Sequence, residues 1–277
     1  FKNDFEMILG DIRDYDSVYN CIKRCDSVFH LAALIGIPYS YISPLAYIKT
    51  NIEGTYNVLE ASKIHSVNNI IITSTSETYG SAVKVPMNES HRLVAQSPYS
   101  ASKIAADNLS LSYYLSFNLP IKIIRPFNCY GPRQSSRAII PTIVSQLYNS
   151  KVNIKLGNLD AIRDLTYVDD LVDAFYKMYN SKKFIGEVTN VGNGKGYSVK
   201  NLFDIISNKT GIEKKIIIDK KRVRPKNSEV NKLICDNTKM CKLSSWKPKF
   251  SIDKGLHETI KWISENQEKF KSDKYNV

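Results

Sequence analysis

The order of elements in this chain predicts an α/β fold, a doubly wound parallel sheet with helices on both faces. Three observations carry that expectation. Short apolar runs suited to strands alternate with longer helical patterns over the first 190 or so residues. Polar, small or charged residues follow several of those runs at once, where a parallel sheet places its ligands. From Asn128 to about Arg163 the alternation loosens into loops, the mark of a second, smaller mixed α/β lobe.

Taken in order, Met7–Leu9 reads as a strand leading into Gly10-Asp11-Ile12, and a helix follows near Tyr15–Lys23. Val28–Leu31 is the next strand, and one long helix is expected from about Pro44 to His65. Ile70–Thr73 forms a strand, about Tyr99 to Phe117 a helix, and Ile121–Arg125 a further strand. The looser region holds a helix at Ile139–Tyr148, after which Leu165–Val168 and the helix following Asp169 return to the earlier style. Beyond Val191 come a helix at Val199–Lys209, a strand at Lys215–Ile218 and a closing helix near Lys254–Glu265. The expected division is a cofactor-binding lobe from 1–127 and 164–190, and a substrate-binding lobe from 128–163 and 191–277. The chain starts at Phe1 in mid-pattern, with no Gly-rich turn ahead of Met7. A fragment is therefore expected, its N-terminal strands missing.

Composition narrows the class. At 277 residues, 43% hydrophobic and 24% charged, the chain can bury a large core and reads as an ordinary soluble protein. No apolar run approaches the roughly 18 residues of a membrane span, and no signal peptide is evident. Five cysteines without C-x-x-C spacing favour reduced thiols and a cytoplasmic setting over a disulfide framework. Cys21 and Cys25 could share a helix face around a metal, but no nearby His completes a ligand set. The net charge of +12 is open to three readings: nucleic-acid binding, a solvated lysine-rich surface, or a few arginines that hold a dianionic ligand. The surface reading is favoured over nucleic acid, and the motifs support the third.

The richest stretch is Ser74-Thr75-Ser76-Glu77-Thr78-Tyr79-Gly80, followed by Tyr99-Ser100-Ala101-Ser102-Lys103. Thr75 and Glu77 follow the strand ending at Thr73, and Tyr99 and Lys103 are one helical turn apart on one face. A phenol is a poor base at its ordinary pKa of about 10, and an adjacent ammonium is expected to lower that value. The pair could then take a hydroxyl proton as hydride leaves, with Thr75 bonding the same hydroxyl and Glu77 serving a second proton transfer. Small residues in His30-Leu31-Ala32-Ala33 would let a flat cofactor approach, and Asp11 is placed to read an adenine amino group. Pro126 fixes a rigid turn that presents Asn128. Arg163 and the Arg222-Val223-Arg224-Pro225 run offer guanidinium groups suited to a diphosphate.

These motifs, in this order, resemble the extended short-chain dehydrogenase/reductase family of nucleotide-sugar enzymes over essentially the whole chain. Within it, His30–Tyr41, Ser74–Gly80, Gln96–Lys103, Arg125–Gln134 and Arg222–Val230 look most like NAD-dependent N-acetylglucosamine nucleotide 4,6-dehydratases of legionaminic-acid-type pathways. The resemblance implies a Rossmann-like cofactor lobe, NAD, a GDP- or UDP-N-acetylglucosamine substrate and a homodimer paired through the helices at 44–65 and 99–117. It implies catalysis by Thr75, Ser76, Glu77, Tyr99 and Lys103. Asp11, Ile12, Leu31, Ala32, Ala33, Asn51, Thr73, Tyr99, Lys103 and Pro126 would line the cofactor. Thr75, Asn128, Leu156, Arg163 and Arg224 would meet the substrate. Many hexose-nucleotide dehydratases have Asp where this chain has Ser76, so Glu77 is expected both to remove the C-5 proton and to return it to the departing O-6. The family's Gly-rich loop for the cofactor pyrophosphate is absent from the sequence, so weak or no NAD binding by this chain alone is expected. UDP-glucuronate decarboxylation is the second reading, 4-epimerisation the third. A non-catalytic nucleotide-sugar binder is the alternative outside enzymes.

Overall fold

The computed structural model of the chain describes residues 5–149, 153–271 and 275. Its first sheet joins β1 (Ser27–His30), β2 (Asn69–Thr73), β3 (Ile121–Pro126) and β7 (Val188–Val191), all parallel and in that order. β2 is central because Ile70, Ile71 and Ile72 are apolar on both faces, and all three are fully buried. Ile70 and Ile72 pack with Val58, Leu59 and Ile121 on one face. Ile71 meets Ala174, Met178 and Trp246 on the other.

Helices cover both faces. α1 (Tyr15–Ile22), capped by Asp14, lies on α4 (Gly54–Ile64), which packs on α5 (Pro98–Phe117). α5 starts with proline in its first turn and Ser97 as its cap, and stops at Asn118 in the left-handed conformation. The opposite face carries α7 (Val168–Tyr179) and α9 (Thr238–Ser244).

Two expected elements take a different form. Residues 5–10 make no strand, and Met7 and Leu9 are exposed. A three-residue apolar run holds a strand only through a neighbouring ladder, and β1 closes this side of the sheet among the described residues. The single helix expected at 44–65 is present as a continuous run over 44–64, with a π-type stretch inside it. α2 (Ile37–Ile42) and α3 (Pro44–Tyr47) lead into wide π-type turns at Ile48–Glu53 before α4 begins. Those turns bring Asn51 inward, where its amide bonds the backbone of Leu34 at 2.8 and 2.9 Å and Ser102 Oγ at 2.9 Å.

The second half builds its own layers. β6 (Ile162–Tyr167) pairs in parallel with β4 (Asn128–Tyr130) and β10 (Lys232–Leu233), and antiparallel with β8 (Gly196–Ser198). β5 (Asn153–Leu156) and β9 (Lys215–Ile218) form a separate parallel pair. α6 (Ile139–Asn149), α8 (Val199–Thr210) and α10 (Ile252–Ser264) close over them around Ile143, Leu147, Leu165, Leu202 and Leu256. Residue 164 falls inside β6, so the chain returns to the first sheet only with α7.

Candidate active site

β2 ends at Thr73, and the backbone there turns sharply. Thr75 is extended, and its hydroxyl accepts from the Glu77 amide at 3.2 Å, starting the 3₁₀ turn Ser76–Tyr79. Gly80 closes the turn at φ +63°, and a Cβ there would lie 2.7 Å from the Gln96 side chain and 2.8 Å from the Val94 carbonyl. Only glycine fits. Ser100 at the start of α5 donates to the Glu77 carbonyl at 2.7 Å, tying turn and helix together.

Behind this turn lies a buried polar network. Ser74 donates to Asp107 at 2.6 Å, and Arg125 pairs with the same carboxylate at 2.9 Å, all three side chains being enclosed. Arg125 also donates to the Tyr79 hydroxyl at 3.1 Å, which donates onward to Asn190 at 2.7 Å. The Ser74 and Arg125 bonds converge on one Asp107 oxygen and restrict the geometry of the network, while the other oxygen is buried without a hydrogen-bond partner. The network fixes the segment that carries Thr75 and Glu77.

Tyr99 and Lys103 rise from the first turns of α5, as their spacing requires. Tyr99 is buried against Tyr47, ring to ring at 6.1 Å, with the Thr75 side chain beside its hydroxyl. Burial pushes the Tyr99 phenol well above its ordinary range. Thr75 pulls the other way, and the nearby Glu77 adds to the rise. The expected lowering by Lys103 is not what dominates. The Lys103 ammonium donates instead to the Thr73 carbonyl at 2.7 Å, and burial lowers its own pKa against the opposing pull of Asp107. Desolvation of the phenol outweighs the nearby positive charge.

A cleft of about 630 Å³ opens over these groups. Thr73, Thr75, Ser76, Glu77 and Tyr99 line one wall, with Lys103 one turn behind. Pro126, Asn128, Leu156, Arg163 and Arg224 line the rest, so residues far apart in sequence face one space. Arg163 is nearly enclosed and stands 3.5 Å from Glu229, while Arg224 lies 3.9 Å from Glu77 and 4.0 Å from Glu229. Glu229, Asp107 and Tyr275 are site neighbours that the motifs did not single out. Tyr275 lies on the Arg222 guanidinium, 4.6 Å from ring centre to carbon, and lines the same cleft.

The expected cofactor residues sit beside the cleft, along the carboxyl edge of β1. Leu31 and Ala32 are exposed there, and Ala33 is half-buried. Asp11 is exposed and bonded to Arg13, which holds its carboxyl down at about 2. The Ile12 carbonyl accepts from Asn57 at 3.0 Å. Asn51 is buried, with its amide engaged by Leu34 and Ser102, so it shapes the β1 loop from behind.

A parallel sheet with a Thr-x-Glu turn, a Tyr-x-x-x-Lys helix and arginines across the cleft defines an extended short-chain dehydrogenase/reductase that acts on nucleotide sugars. Residues 1–259 match the family described as GDP-mannose 4,6 dehydratase, and the chain belongs to that family of nucleotide-sugar dehydratases and epimerases. It is 32% identical over 276 residues to a UDP-glucuronate 4-epimerase of Thermodesulfobacterium geofontis, covering 98% of this chain and 83% of the relative. Among solved structures, the UDP-glucuronic acid 4-epimerase of Bacillus cereus, with UDP-glucuronic acid and NAD, superposes with a TM-score of 0.88. Its identity is 27%, with 95% of this chain and 83% of that one covered. The dTDP-glucose 4,6-dehydratase DesIV of Streptomyces venezuelae, solved with NAD, gives 0.87 at 26% identity, covering 95% and 80%.

Proposed function

We propose that this chain, with NAD added in excess as redox cofactor, catalyses the 4,6-dehydration of a GDP- or UDP-linked N-acetylglucosamine to the 4-keto-6-deoxy sugar. The setting would be cytoplasmic synthesis of a legionaminic-acid-type surface glycan in a bacterium. One observation carries the reading: Thr75, Glu77 and Tyr99 face a single cleft, with the Thr75 side chain beside the Tyr99 hydroxyl. A base for an alcohol and a base for the neighbouring carbon thus share one substrate pocket.

The residues present fit the cofactor. Leu31 and Ala32 leave an open apolar ledge at the end of β1, and Thr73 Oγ1 at the end of β2 is buried without a hydrogen-bond partner. Asp11, Ile12, Leu31, Ala32, Ala33, Asn51, Thr73, Tyr99, Lys103 and Pro126 would hold or shape that side. When bound, NAD supplies the acceptor that takes hydride from C-4 and gives it back at C-6.

The protein's own groups move the protons. Thr75 orients the 4-hydroxyl, and Tyr99 would accept its proton as the phenolate, after losing its own proton, with the Lys103 charge close behind. The resulting ketone acidifies C-5, and Glu77 removes that proton. Ser76 lines the cleft but is too weak an acid to protonate a leaving hydroxyl, so Glu77 passes its proton to O-6 as water departs, and C-5 takes a new proton from solvent as hydride is returned to C-6. Arg163 and Arg224 clamp the diphosphate, beside Asn128 and Leu156. A homodimer would pair the outer faces of α4 and α5.

A second reading, 4-epimerisation or decarboxylation of a UDP-glucuronate, is favoured by the uronate-acting relatives. Against decarboxylation, Lys103 is followed by Ile104-Ala105 and lacks the nearby Arg that those enzymes use for the carboxylate. Mass spectrometry of products from GDP-N-acetylglucosamine, UDP-N-acetylglucosamine and UDP-glucuronate separates the readings. A product lighter by one water from an N-acetylglucosamine nucleotide is expected. An isomer or a product lighter by carbon dioxide from UDP-glucuronate alone would overturn the assignment.

A further inference from the structure

Three charged side chains on one cleft wall, Arg163, Arg224 and Glu229, meet Glu77 across the cleft, and the four charges cancel. Arg163 stands 3.5 Å from Glu229, and Arg224 Nη1 lies 4.0 Å from Glu229 Oε1 and 3.9 Å from Glu77 Oε1. The Arg224 separations exceed hydrogen-bond length, and Arg224 Nη1 is enclosed without a hydrogen-bond partner. Buried polar atoms are normally satisfied, so an orphaned guanidinium nitrogen between two carboxylates marks a place where another acceptor belongs. Glu229 reaches this position through a tight turn. Pro225 follows Arg224, and the Pro225 carbonyl accepts from the amides of Ser228 at 2.8 Å and Glu229 at 3.1 Å, folding the carboxylate back over the arginine.

The two arginines are the groups read above as the diphosphate clamp, and the inference rests on that reading. Two carboxylates beside these two guanidiniums offset the attraction that the pair would otherwise offer a dianion. We infer that Glu229 is a placeholder anion. It keeps Arg163 and Arg224 paired before substrate arrives and yields them to the diphosphate oxygens on binding. The exchange has a consequence for the chemistry. A phosphate oxygen on Arg224 Nη1 also draws that guanidinium from Glu77, leaving its carboxylate unpaired when a carbon acid has to be deprotonated. Glu229 is thus a residue that tunes affinity for the diphosphate, acting through the arginines.

Calorimetric titration of the chain with GDP and UDP, and with guanosine and uridine as phosphate-free controls, tests this on the wild type and Glu229→Gln. Removing one competing charge beside a partly enclosed dianion is expected to tighten diphosphate binding by about five- to thirty-fold. The nucleosides should bind as before, and the diphosphate affinity should fall more steeply with added salt. Should the glutamine variant fail to fold, Glu229→Asp retains the charge but draws it back from the arginines, and at least about twofold tighter binding is expected. Unchanged or weaker diphosphate binding in a folded variant overturns the placeholder role alone. Wild-type protein that binds neither diphosphate overturns the nucleotide-sugar reading and the placeholder role with it.

Discussion

The two walls of the cleft hold their charged groups in opposite ways. On the wall formed by β2, its following turn and α5, short hydrogen bonds fix the machinery: Lys103 to Thr73 at 2.7 Å, Ser100 to the Glu77 backbone at 2.7 Å, Ser74 to Asp107 at 2.6 Å. Across the cleft, Arg163 and Arg224 stand 3.5–4.0 Å from their carboxylates, and one guanidinium nitrogen has no hydrogen-bond partner. Proton transfer depends on fixed geometry, so the catalytic wall is locked in advance. Substrate must enter and leave, so the binding wall keeps ion pairs loose enough to exchange.

If that contrast is right, substitutions on the locked wall should cost rate or stability steeply, while those on the loose wall shift affinity. The largest effect is expected from Tyr99→Phe, which removes the base for the alcohol and should lower turnover about 10⁴-fold in a product assay, with diphosphate binding by calorimetry intact. Next comes Glu77→Gln. Overall turnover should fall about 10³-fold while C-4 oxidation survives, so reduced nicotinamide accumulates in the absorbance spectrum. Unimpaired turnover would remove Glu77 from the mechanism. Asp107→Asn leaves the enclosed Arg125 without its counter-charge and should cost about 3 kcal/mol of stability in a urea titration. A loss near zero would mean that the network behind the turn is not rigid.

The smallest effect concerns pH. His30 is buried at the end of β1, with Nε2 3.0 Å from the Thr55 hydroxyl, whose proton goes to the Asn51 carbonyl. Nε2 must therefore donate, and the ring is neutral. Burial, helped by the Lys103 charge, brings its pKa down to about 3. Between the ordinary His value of about 6.5 and that figure, the unfolded chain takes up a proton the folded chain refuses. Stability from this group is complete above about 6.5 and falls as pH drops, by about 2 kcal/mol at pH 5. Asp164, whose carboxyl burial pushes up to about 6, titrates with the opposite sign. The readable quantity is thus the difference between wild type and His30→Gln, whose unfolding midpoint should depend less on pH over this interval.

The locked wall was the legible one. Thr75, Glu77, Tyr99 and Lys103 lie in two short segments whose spacing already places them together, once a strand end and a helix face are assumed. Strands β1, β2 and β3 of the first sheet came through for the same reason, since continuous apolar runs such as Ile70–Ile72 leave little choice, whereas β7 was not singled out. What failed to show were features set by distant partners. The turns at Ile48–Glu53 exist because Asn51 reaches Leu34 and Ser102, which no local pattern in a helical stretch reveals. The Tyr99 environment depends on enclosure by Tyr47 and its neighbours, so spacing to Lys103 alone gave the wrong dominant influence. Asp107, one turn beyond Lys103, had a usable signal, because an acid on the buried face of a helix needs a partner. Glu229 and Tyr275 join the site only through tertiary folding.

The central assertion is that Glu77 works on the carbon beside a ketone that Tyr99 helps to make. Turnover of the accepted N-acetylglucosamine nucleotide in heavy water, with the product analysed by mass spectrometry and proton NMR, tests it most directly. The expected product is lighter by one water and carries deuterium at C-5, with neither change in Glu77→Gln. A dehydrated product that keeps its original C-5 hydrogen, or equal labelling by the Glu77 variant, would contradict it.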